Sequence, residues 1–369
     1  MIDYSFNSNT SGASANQFFF NLKENEIQTS RVLYKISKGG RFNYSFLFTN
    51  ITDSTYSDGS ESVCNEPYGE WVIHSASVAC VAGRAFKGLD GRFACEVGNI
   101  DCDKAIYFGG LREKRVKSGE IFKSDEALFE FNDGDYLCLE ISFSGRRIPC
   151  HTESILPIFK LDCIDWKYCT DMPLPACIGC DMSVKARVAF LGDSITQGIG
   201  TKVNSYAHWS ALLAERLGFD YAYWNLGIGY GRADDLYQNG IWLEKAAMND
   251  IIFVCLGVND LLQGYSAEGI KNSLYFIAKA LKESGKRVIF QTLPPFDYVG
   301  SQIVSWQSVN EFIKCEIAKT VDFVFDCVPL LSVEGESHRA KFGGHPNEAG
   351  CALWADALYS ALVESAVFG

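Results

Sequence analysis

The stretch RVAFLGDSITQG, residues 187–198, decides the fold of the C-terminal half of this chain. Its first part is an unbroken apolar run, which is typical of a parallel strand that is buried on both faces. Its second part is a polar turn that leads out of the strand. From residue 186 onward, helical patterns alternate with further strands, which read YAYWNLG, DIIFVCLG, RVIFQT and DFVFD. Five strands alternating with helices predict a doubly wound parallel sheet inside a three-layer α/β/α core.

The N-terminal half has a different pattern. Short runs of aromatic and β-branched residues recur with turn residues between them, as in RVLYKI, KGG and RFNYSFLF, and helical periodicity is nearly absent. This pattern is typical of a β-sandwich, here of jelly-roll type. We therefore predict a β-sandwich domain over residues 1–160, a linker over 161–185 and an α/β domain over 186–369.

Composition narrows the classes of function. The 369 residues carry a formal net charge of −12, which argues against nucleic acid and anionic membrane surfaces as partners. No leader with a basic and an apolar region is visible, and no apolar run is long enough to span a membrane, so the cytoplasm is the expected compartment. The sequence leaves the oligomeric state open.

Four of the 14 cysteines form a cluster, Cys163, Cys169, Cys177 and Cys180. The Cys177–Cys180 spacing fits one half of a zinc site or a redox pair, but the five residues between Cys163 and Cys169 fit the other half of a zinc site poorly. Incidental thiols are the interpretation that we favour, since several other cysteines lie in apolar runs as small buried residues do. We expect no metal and no cofactor.

Chemically useful residues follow the predicted strands. Ser194 comes after the first strand, the Gly-rich NLGIGYG after the second, Asn259 after the third, and His345 after the fifth and before the last helix. Because the carboxyl ends of parallel strands meet at one edge of the sheet, we expect these residues to converge. A serine hydroxyl needs an adjacent base, and His345 is the histidine available to it. Backbone N–H groups and the Asn259 amide can stabilise a developing oxyanion.

With these four blocks in order, residues 186–369 resemble the SGNH hydrolases, also known as GDSL-type esterases. The resemblance implies a flavodoxin-like sheet, Ser194 as the nucleophile, and an oxyanion hole formed by the Ser194 N–H, a glycine of the second block and Asn259. The family often has that glycine at the position that is Tyr230 here. A one-residue shift puts Gly229 or Gly231 there, and of the two we favour Gly229. The layout as a whole resembles two-domain carbohydrate esterases of the superfamily, which remove acetyl or similar small acyl groups from sugars.

One position departs from the family pattern. The SGNH hydrolases usually have an Asp three residues before the histidine, and this chain has Phe342. Three alternatives remain open at this stage. A backbone carbonyl can hold the histidine in a Ser–His pair, a carboxylate such as Glu336 or Asp326 can replace the missing acid, or the domain is inactive and only binds carbohydrate.

Other residues near the strand ends complete the expectations. Asp193 and Asp260 adjoin the oxyanion donors, and we interpret them as braces for the loops. Asp297, Tyr298 and Trp306 follow the fourth strand, and they are candidates for the roof of a substrate pocket, with packing of the loop as the alternative. The sequence thus predicts a cytoplasmic serine esterase that hydrolyses short acyl esters, most simply acetyl esters of a carbohydrate. An acyltransferase on the same scaffold and a catalytically weak carbohydrate-binding protein are the alternatives.

Overall fold

The structure is a computed structural model that describes residues 2, 4–54, 64–86, 90, 92, 96–237 and 240–368. Its N-terminal part is built from antiparallel sheets. The strands are β1 (Phe18–Phe20), β2 (Gln28–Lys35), β3 (Gly40–Thr49), β4 (Trp71–Val81), β5 (Lys104–Ile106), β6 (Lys114–Val116), β7 (Ile121–Lys123), β8 (Ala127–Phe131), β9 (Tyr136–Gly145), β10 (Ile148–Cys150), β11 (Ile158–Asp162), β12 (Asp165–Cys169) and β13 (Cys177–Cys180).

Two of these sheets share one apolar core. The larger has the order β12-β11-β2-β9-β4-β5, with β6 also pairing with β4, and the smaller has the order β13-β3-β7, with β8 also pairing with β3. Apolar side chains of both sheets meet in a single cluster, with Ile73 and Leu139 from the larger and Phe46 and Phe129 from the smaller. Burial of two inner faces against each other is the arrangement of a β-sandwich.

The C-terminal part is a five-stranded parallel sheet with helices on both faces. The strands of this part, including a final antiparallel pair, are β14 (Arg187–Gly192), β15 (Ala222–Gly227), β16 (Ile251–Cys255), β17 (Arg287–Gln291), β18 (Phe323–Phe325), β19 (Ser332–Val333) and β20 (Glu336–Ala340). The helices are α1 (Ser194–Gln197), α2 (Trp209–Leu217), α3 (Ala233–Tyr237), α4 (Ile241–Ala247), α5 (Val258–Leu262), α6 (Ala267–Glu283), α7 (Ser301–Cys315), α8 (Val328–Leu331) and α9 (Glu348–Glu364).

The strand order of the parallel sheet is β15-β14-β16-β17-β18. In sequence order this is 2-1-3-4-5, which is the flavodoxin-like order. Side chains of α3, α4, α6 and α7 form the apolar layer on one face, and those of α2 and α9 form the layer on the other. The predicted doubly wound sheet and the preceding β-rich domain are both confirmed. The direction of winding reverses between β14 and β16, so a crevice is expected beyond the carboxyl ends of these two strands.

The boundary between the two parts differs from the predicted one. Residues 161–185, predicted as a linker, contribute β12 and β13, and Cys177–Cys180 pairs with β3 in the smaller sheet. Local sequence patterns did not indicate these strands because both are short; β12 forms a hairpin with β11, and β13 pairs with β3, which is far away in the chain. We therefore propose that the domain boundary lies between Cys180 and Arg187 rather than at residue 160.

The two parts are joined by polar contacts, one of which is fully buried. Lys245 of α4 contacts the carboxylate of Asp53 at 2.6 and 2.7 Å, and both side chains are at most 1% exposed. At the start of β14, the Arg187 guanidinium donates to the Asn7 side chain at 2.8 Å. The N-terminal segment therefore packs along the α/β part as well as along the β-rich part. Within the described residues, no helix is long and apolar enough to cross a membrane.

Candidate active site

Ser194 lies directly after β14, as the first residue of α1. Asp193 caps this short helix, and its carboxylate accepts a hydrogen bond of 3.0 Å from the Ile195 N–H. Ser194 itself is 8% exposed, and its Oγ lies 2.8 Å from Nε2 of His345. The structure therefore brings together the two side chains that the sequence predicts as nucleophile and base.

His345 lies in the loop before α9 and is surrounded by close packing. The ring of Phe296 meets the imidazole edge to face, with 5.3 Å between the ring centroids. The backbone of Gly200 also approaches so closely that a Cβ there would lie 2.7 Å from the His345 carbonyl oxygen. Burial lowers the pKa of His345. A lowered pKa favours the neutral imidazole, which is the form that accepts a proton from a hydroxyl.

Phe342 has a packing role at the position where the family usually has an acid. Its side chain packs against the apolar cluster formed by α2 and α9. Helix α9 has a glycine, Gly350, where Phe342 approaches, and a Cβ there would lie 2.7 Å from the Phe342 Cβ. The Phe342 carbonyl also accepts a bond of 3.2 Å from the Asn347 N–H, which closes the loop that carries His345. Position 342 therefore anchors this loop through apolar contacts.

The two carboxylates suggested as replacements are engaged elsewhere. Glu336 lies on β20 and contacts the Arg339 guanidinium at 3.1 Å. Asp326 accepts a bond of 2.9 Å from the Thr292 hydroxyl. Among the described residues, no carboxylate pairs with His345, and its one hydrogen bond is the one with Ser194. The structure thus gives no support to a carboxylate that orients the ring.

Three glycines lie at the end of β15 and in the loop that follows it, and the hydrogen bonds distinguish among them. The Gly227 N–H donates to the Asn225 side chain at 2.8 Å, and the Gly231 N–H donates to the Ile228 carbonyl at 3.0 Å. The Gly229 N–H has no acceptor among the described residues. An oxyanion donor must be free before substrate binds, so this comparison favours Gly229, the glycine chosen from the sequence.

Asn259 lies in the first turn of α5 and is tied to the same loop. Its side-chain amide donates a bond of 2.9 Å to the Gly231 carbonyl, and the residue is 9% exposed. An amide nitrogen has two hydrogens, so one remains for an oxyanion. The adjacent Asp260 accepts bonds from the Ala233 and Asp234 N–H groups at 2.9 and 3.1 Å. This carboxylate therefore fixes the end of the glycine loop where α3 begins.

The buried carboxylates Asp193 and Asp260 act on the backbone. Burial raises the pKa of Asp193 to about 7 and that of Asp260 to about 6. Backbone N–H groups donate to both carboxylates and offset part of this burial penalty. These hydrogen bonds match the role of loop braces that the sequence predicts for the two residues.

The aromatic residues considered for the substrate pocket, Tyr298 and Trp306, are buried in the core. Tyr298 is 1% exposed and Trp306 is 2% exposed, and both belong to the apolar core on one face of the sheet. The Trp306 indole N–H donates to the Leu293 carbonyl at 2.9 Å, which fixes the orientation of this ring. Asp297 is exposed, and its carboxylate accepts a bond from the Ala340 N–H at 3.0 Å. The burial of Tyr298 and Trp306 argues against a pocket-lining role.

Two residues that the sequence analysis did not single out lie against Gly229. The Gln17 side-chain amide donates to the Gly229 carbonyl. Glu153 places its Oε2 atom 3.0 Å from the point that a Cβ on Gly229 would occupy. Both residues come from the N-terminal half, so no sequence pattern near the catalytic blocks could have indicated them.

The cysteine cluster does not form a metal site in the described residues. These residues contain no group of three or more His, Cys, Asp or Glu side chains that could hold a metal ion. Cys177 and Cys180 are buried on β13, and burial raises the pKa of both thiols to about 12. Both side chains therefore stay protonated and act as small apolar residues.

Comparison with known proteins gives one family match. Residues 190–353 match the model of the GDSL-like lipase/acylhydrolase family. For the segment that it covers, this match confirms the resemblance carried by the four blocks and the predicted class of enzyme, a carboxylic ester hydrolase. No curated protein matches the chain at a significant level.

Several solved structures resemble the chain. A family two carbohydrate esterase from Clostridium thermocellum, in complex with cellohexaose, is 12% identical, with a TM-score of 0.41 and coverage of 98% of both chains. A family two carbohydrate esterase from Cellvibrio japonicus is 10% identical, with a TM-score of 0.39 and coverage of 99% of this chain and 96% of that one. A member of the lipolytic G-D-S-L family from Veillonella parvula is 22% identical, with a TM-score of 0.40 and coverage of 48% and 98%. At these levels of similarity, function has to be argued from the site itself.

Proposed function

We propose that the protein is a serine esterase that hydrolyses short acyl esters, acetyl esters of a carbohydrate above all, through Ser194 and His345. The observation that carries the proposal is the 2.8 Å contact between the Ser194 Oγ and the His345 Nε2. It lies at the strand edge where Gly229 and Asn259 supply further N–H groups. A nucleophile, a base and oxyanion donors at one edge of the sheet are the parts that acyl transfer requires.

The reaction follows from these positions. The Ser194 Oγ attacks the ester carbonyl while His345 Nε2 takes the hydroxyl proton. The carbonyl oxygen becomes an oxyanion, to which the N–H groups of Ser194 and Gly229 and the Asn259 amide donate. The C–O bond to the alcohol then breaks, and His345 returns the proton to the leaving oxygen. Water attacks the acyl-enzyme with His345 as base, the C–O bond to Ser194 breaks, and the carboxylic acid and the free serine are released.

A Ser–His pair is the form of the site that the contacts support best. An acid partner in a serine protease holds the histidine in the right tautomer, and its replacement by an amide costs about 10⁴ in rate. Here the packing of Phe296 and Gly200 against His345 restricts the ring and its backbone. We propose that this packing performs the orienting part of the acid's task. The acid also stabilises the imidazolium, and we propose that the oxyanion that forms beside His345 does so here.

Two further parts of the proposal concern the alcohol of the ester and the cellular compartment. A carbohydrate is proposed because the order of a β-rich domain followed by this hydrolase domain resembles that of two-domain carbohydrate esterases. The cytoplasm is proposed because no disulfide joins the described cysteines, as expected in a reducing compartment. The proposal involves a small-molecule or carbohydrate ester, and it requires no metal, cofactor, nucleic acid or membrane partner.

The decisive experiment measures turnover of p-nitrophenyl acetate and of an acetylated methyl pyranoside. We expect Ser194→Ala and His345→Ala each to lower kcat by at least about 1,000-fold, since a nucleophile and its base act as a unit. Glu336→Gln and Asp326→Asn serve as matched controls and should retain kcat within about threefold, because neither carboxylate pairs with His345. Equal rates for the wild type and Ser194→Ala would refute the proposal. Added acceptor alcohol, with product analysis, distinguishes transfer from hydrolysis.

A further inference from the structure

A loop from the β-rich domain contacts the segment that follows Ser194. This loop, residues 151–156, follows β10 and lies against the segment after Ser194. The Gln197 side-chain amide of α1 donates to the carbonyls of Thr152 and Glu153 at 2.9 and 3.0 Å. The Asn204 N–H donates to the Ile155 carbonyl at 2.8 Å. These bonds fix the loop to the hydrolase domain.

Within this loop, Glu153 has an unusual backbone conformation. Its φ is 53°, in the left-handed region that non-glycine residues adopt at a cost in free energy. Strained conformations of this kind persist where the surrounding structure enforces them, and they concentrate at ligand-binding positions. The conformation coincides with a side chain that reaches the oxyanion loop, with Oε2 3.0 Å from the point that a Cβ on Gly229 would occupy.

The Glu153 carboxylate is half-buried and has no donor in the protein. Among the described residues, no cation pairs with it and no N–H or O–H group donates to it. Burial accordingly raises the pKa of Glu153, and no charged neighbour opposes this effect. A ligand that supplies hydrogen-bond donors would therefore stabilise the carboxylate in this position.

The surroundings of Glu153 are rich in acceptors as well. The amide nitrogens of Gln17 and Gln197 donate to backbone carbonyls, which fixes the orientation of both side chains. Their Oε1 atoms are buried without a hydrogen-bond partner, and that of Gln197 lies 3.3 Å from the same point above Gly229. Both Oε1 atoms are closed off from solvent, and the Gln17 nitrogen, 3.2 Å from the same point, donates to the Gly229 carbonyl. A group that enters beside the oxyanion loop therefore meets the Glu153 carboxylate, which favours donors over acceptors and anions.

We propose that Glu153 is a substrate-binding residue that accepts hydrogen bonds from hydroxyl groups of the alcohol part of the ester. The proposal rests on the proposed function and deepens it, because it defines the alcohol as a neutral polyol such as a sugar. The ester carbonyl is held at the Gly229 N–H, so hydroxyl groups near the ester lie within the range of the Glu153 side chain. Aryl and alkyl alcohols lack such donors, and anionic sugars meet a carboxylate there. The β-rich domain thus supplies a specificity residue to the hydrolase site.

The test compares three esters that share the acetyl group. They are a monoacetylated methyl pyranoside with free hydroxyls, the same compound with those hydroxyls O-methylated, and p-nitrophenyl acetate. We expect Glu153→Ala to lower kcat/KM for the free-hydroxyl sugar by about 10- to 100-fold, mainly through KM, because a hydrogen bond to a charged group is lost. The same variant should change kcat/KM for p-nitrophenyl acetate and the O-methylated sugar by less than about threefold. Glu153→Gln keeps an acceptor oxygen and should recover part of the loss.

Either of two results with Glu153→Ala would overturn the inference. An equal loss on all three esters would make Glu153 a support for the Gly229 loop, and an unchanged rate on the free-hydroxyl sugar would remove any contact with substrate. A wild type that cleaves p-nitrophenyl acetate but no sugar ester would also refute it, while the esterase proposal would remain. If Ser194→Ala cleaves p-nitrophenyl acetate as fast as the wild type, the proposed function fails and this inference fails with it. Unfolding midpoints of both Glu153 variants show that each is folded.

Discussion

Gly200→Ala tests whether packing positions the catalytic histidine. Gly200 has a φ of +99°, and a Cβ there would lie 2.7 Å from the carbonyl oxygen and 2.9 Å from the Cβ of His345. These atoms belong to the backbone and the root of the side chain, so they cannot rotate away. The substitution therefore forces the loop of Gly200 or that of His345 to move.

The size of the effect follows from these distances. Non-bonded carbon atoms sit about 3.5–4.0 Å apart, so relief of the contact requires a shift on the order of 1 Å. A misplacement of about 1 Å at a catalytic group can cost about 100-fold in rate. We therefore expect kcat to fall by about 100-fold, which corresponds to about 2.7 kcal/mol in the barrier. The left-handed backbone adds a stability loss of about 1–2 kcal/mol.

A matched control distinguishes the effect of backbone strain at a positive-φ glycine from the effect of moving His345. Gly285, in the turn between α6 and β17, has a φ of +73°, and a Cβ there would meet no atom within 4 Å. It precedes β17, away from the carboxyl ends of the strands where Ser194 lies. Gly285→Ala should therefore lose similar stability but keep wild-type kcat. The assay measures kcat on p-nitrophenyl acetate together with urea unfolding. A folded Gly200→Ala enzyme with kcat within about threefold of wild type would refute the reasoning.

Two further predictions concern titration and stability. Burial lowers the pKa of His345, and only the neutral imidazole can act as a base. We therefore expect kcat/KM to fall as the pH is lowered, with a midpoint below 6.5, the ordinary pKa of histidine. A pH–rate profile with a midpoint above 6.5 would contradict this. Lys245→Met leaves the Asp53 carboxylate buried without its ammonium partner and should lower the free energy of unfolding by about 3–5 kcal/mol. Urea unfolding measures this free energy, and Lys279→Met, which removes one partner of an exposed ion pair, serves as the control. A loss below about 1 kcal/mol for Lys245→Met would contradict a stabilising role of the Lys245–Asp53 pair.

The parts of the molecule that follow local patterns could be predicted from the sequence. The strands of the parallel sheet are mainly apolar runs, and most of them are followed by a turn whose polar residues the sheet must bring to one edge. Ser194 and His345 lie 151 positions apart in the chain, and parallel pairing places β14 and β18 in one sheet. The segment of α8, β19 and β20 separates His345 from β18, so the order of the blocks was also needed to predict the contact. The braces Asp193 and Asp260 could be predicted for the same reason, since each adjoins an oxyanion donor in sequence.

The parts that depend on contacts between distant segments could not be predicted. Glu153 and Gln17 reach Gly229 from the other domain, and nothing in their neighbourhoods indicates this contact. Tyr298 and Trp306 follow a strand end as site residues do, but the loop that carries Tyr298 and the helix α7 that carries Trp306 direct both rings into the core, where their burial outweighs exposure to a substrate. Position in the chain places a residue near the site, whereas tertiary packing decides which way its side chain points.

Phe342 shows how the missing acid and the packing are connected. An aspartate at this position would orient His345 by a hydrogen bond, whereas Phe342 holds the loop of His345 by packing beneath α9. Gly350 belongs to the same arrangement, because only a residue without a Cβ lets the ring approach the helix so closely. The loop thus has apolar anchoring at Phe342, and Phe296 and Gly200 restrict the histidine itself. Since an aspartate would lose this anchoring, we propose that the departure from the family pattern is a different way to hold the proposed base rather than a damaged triad.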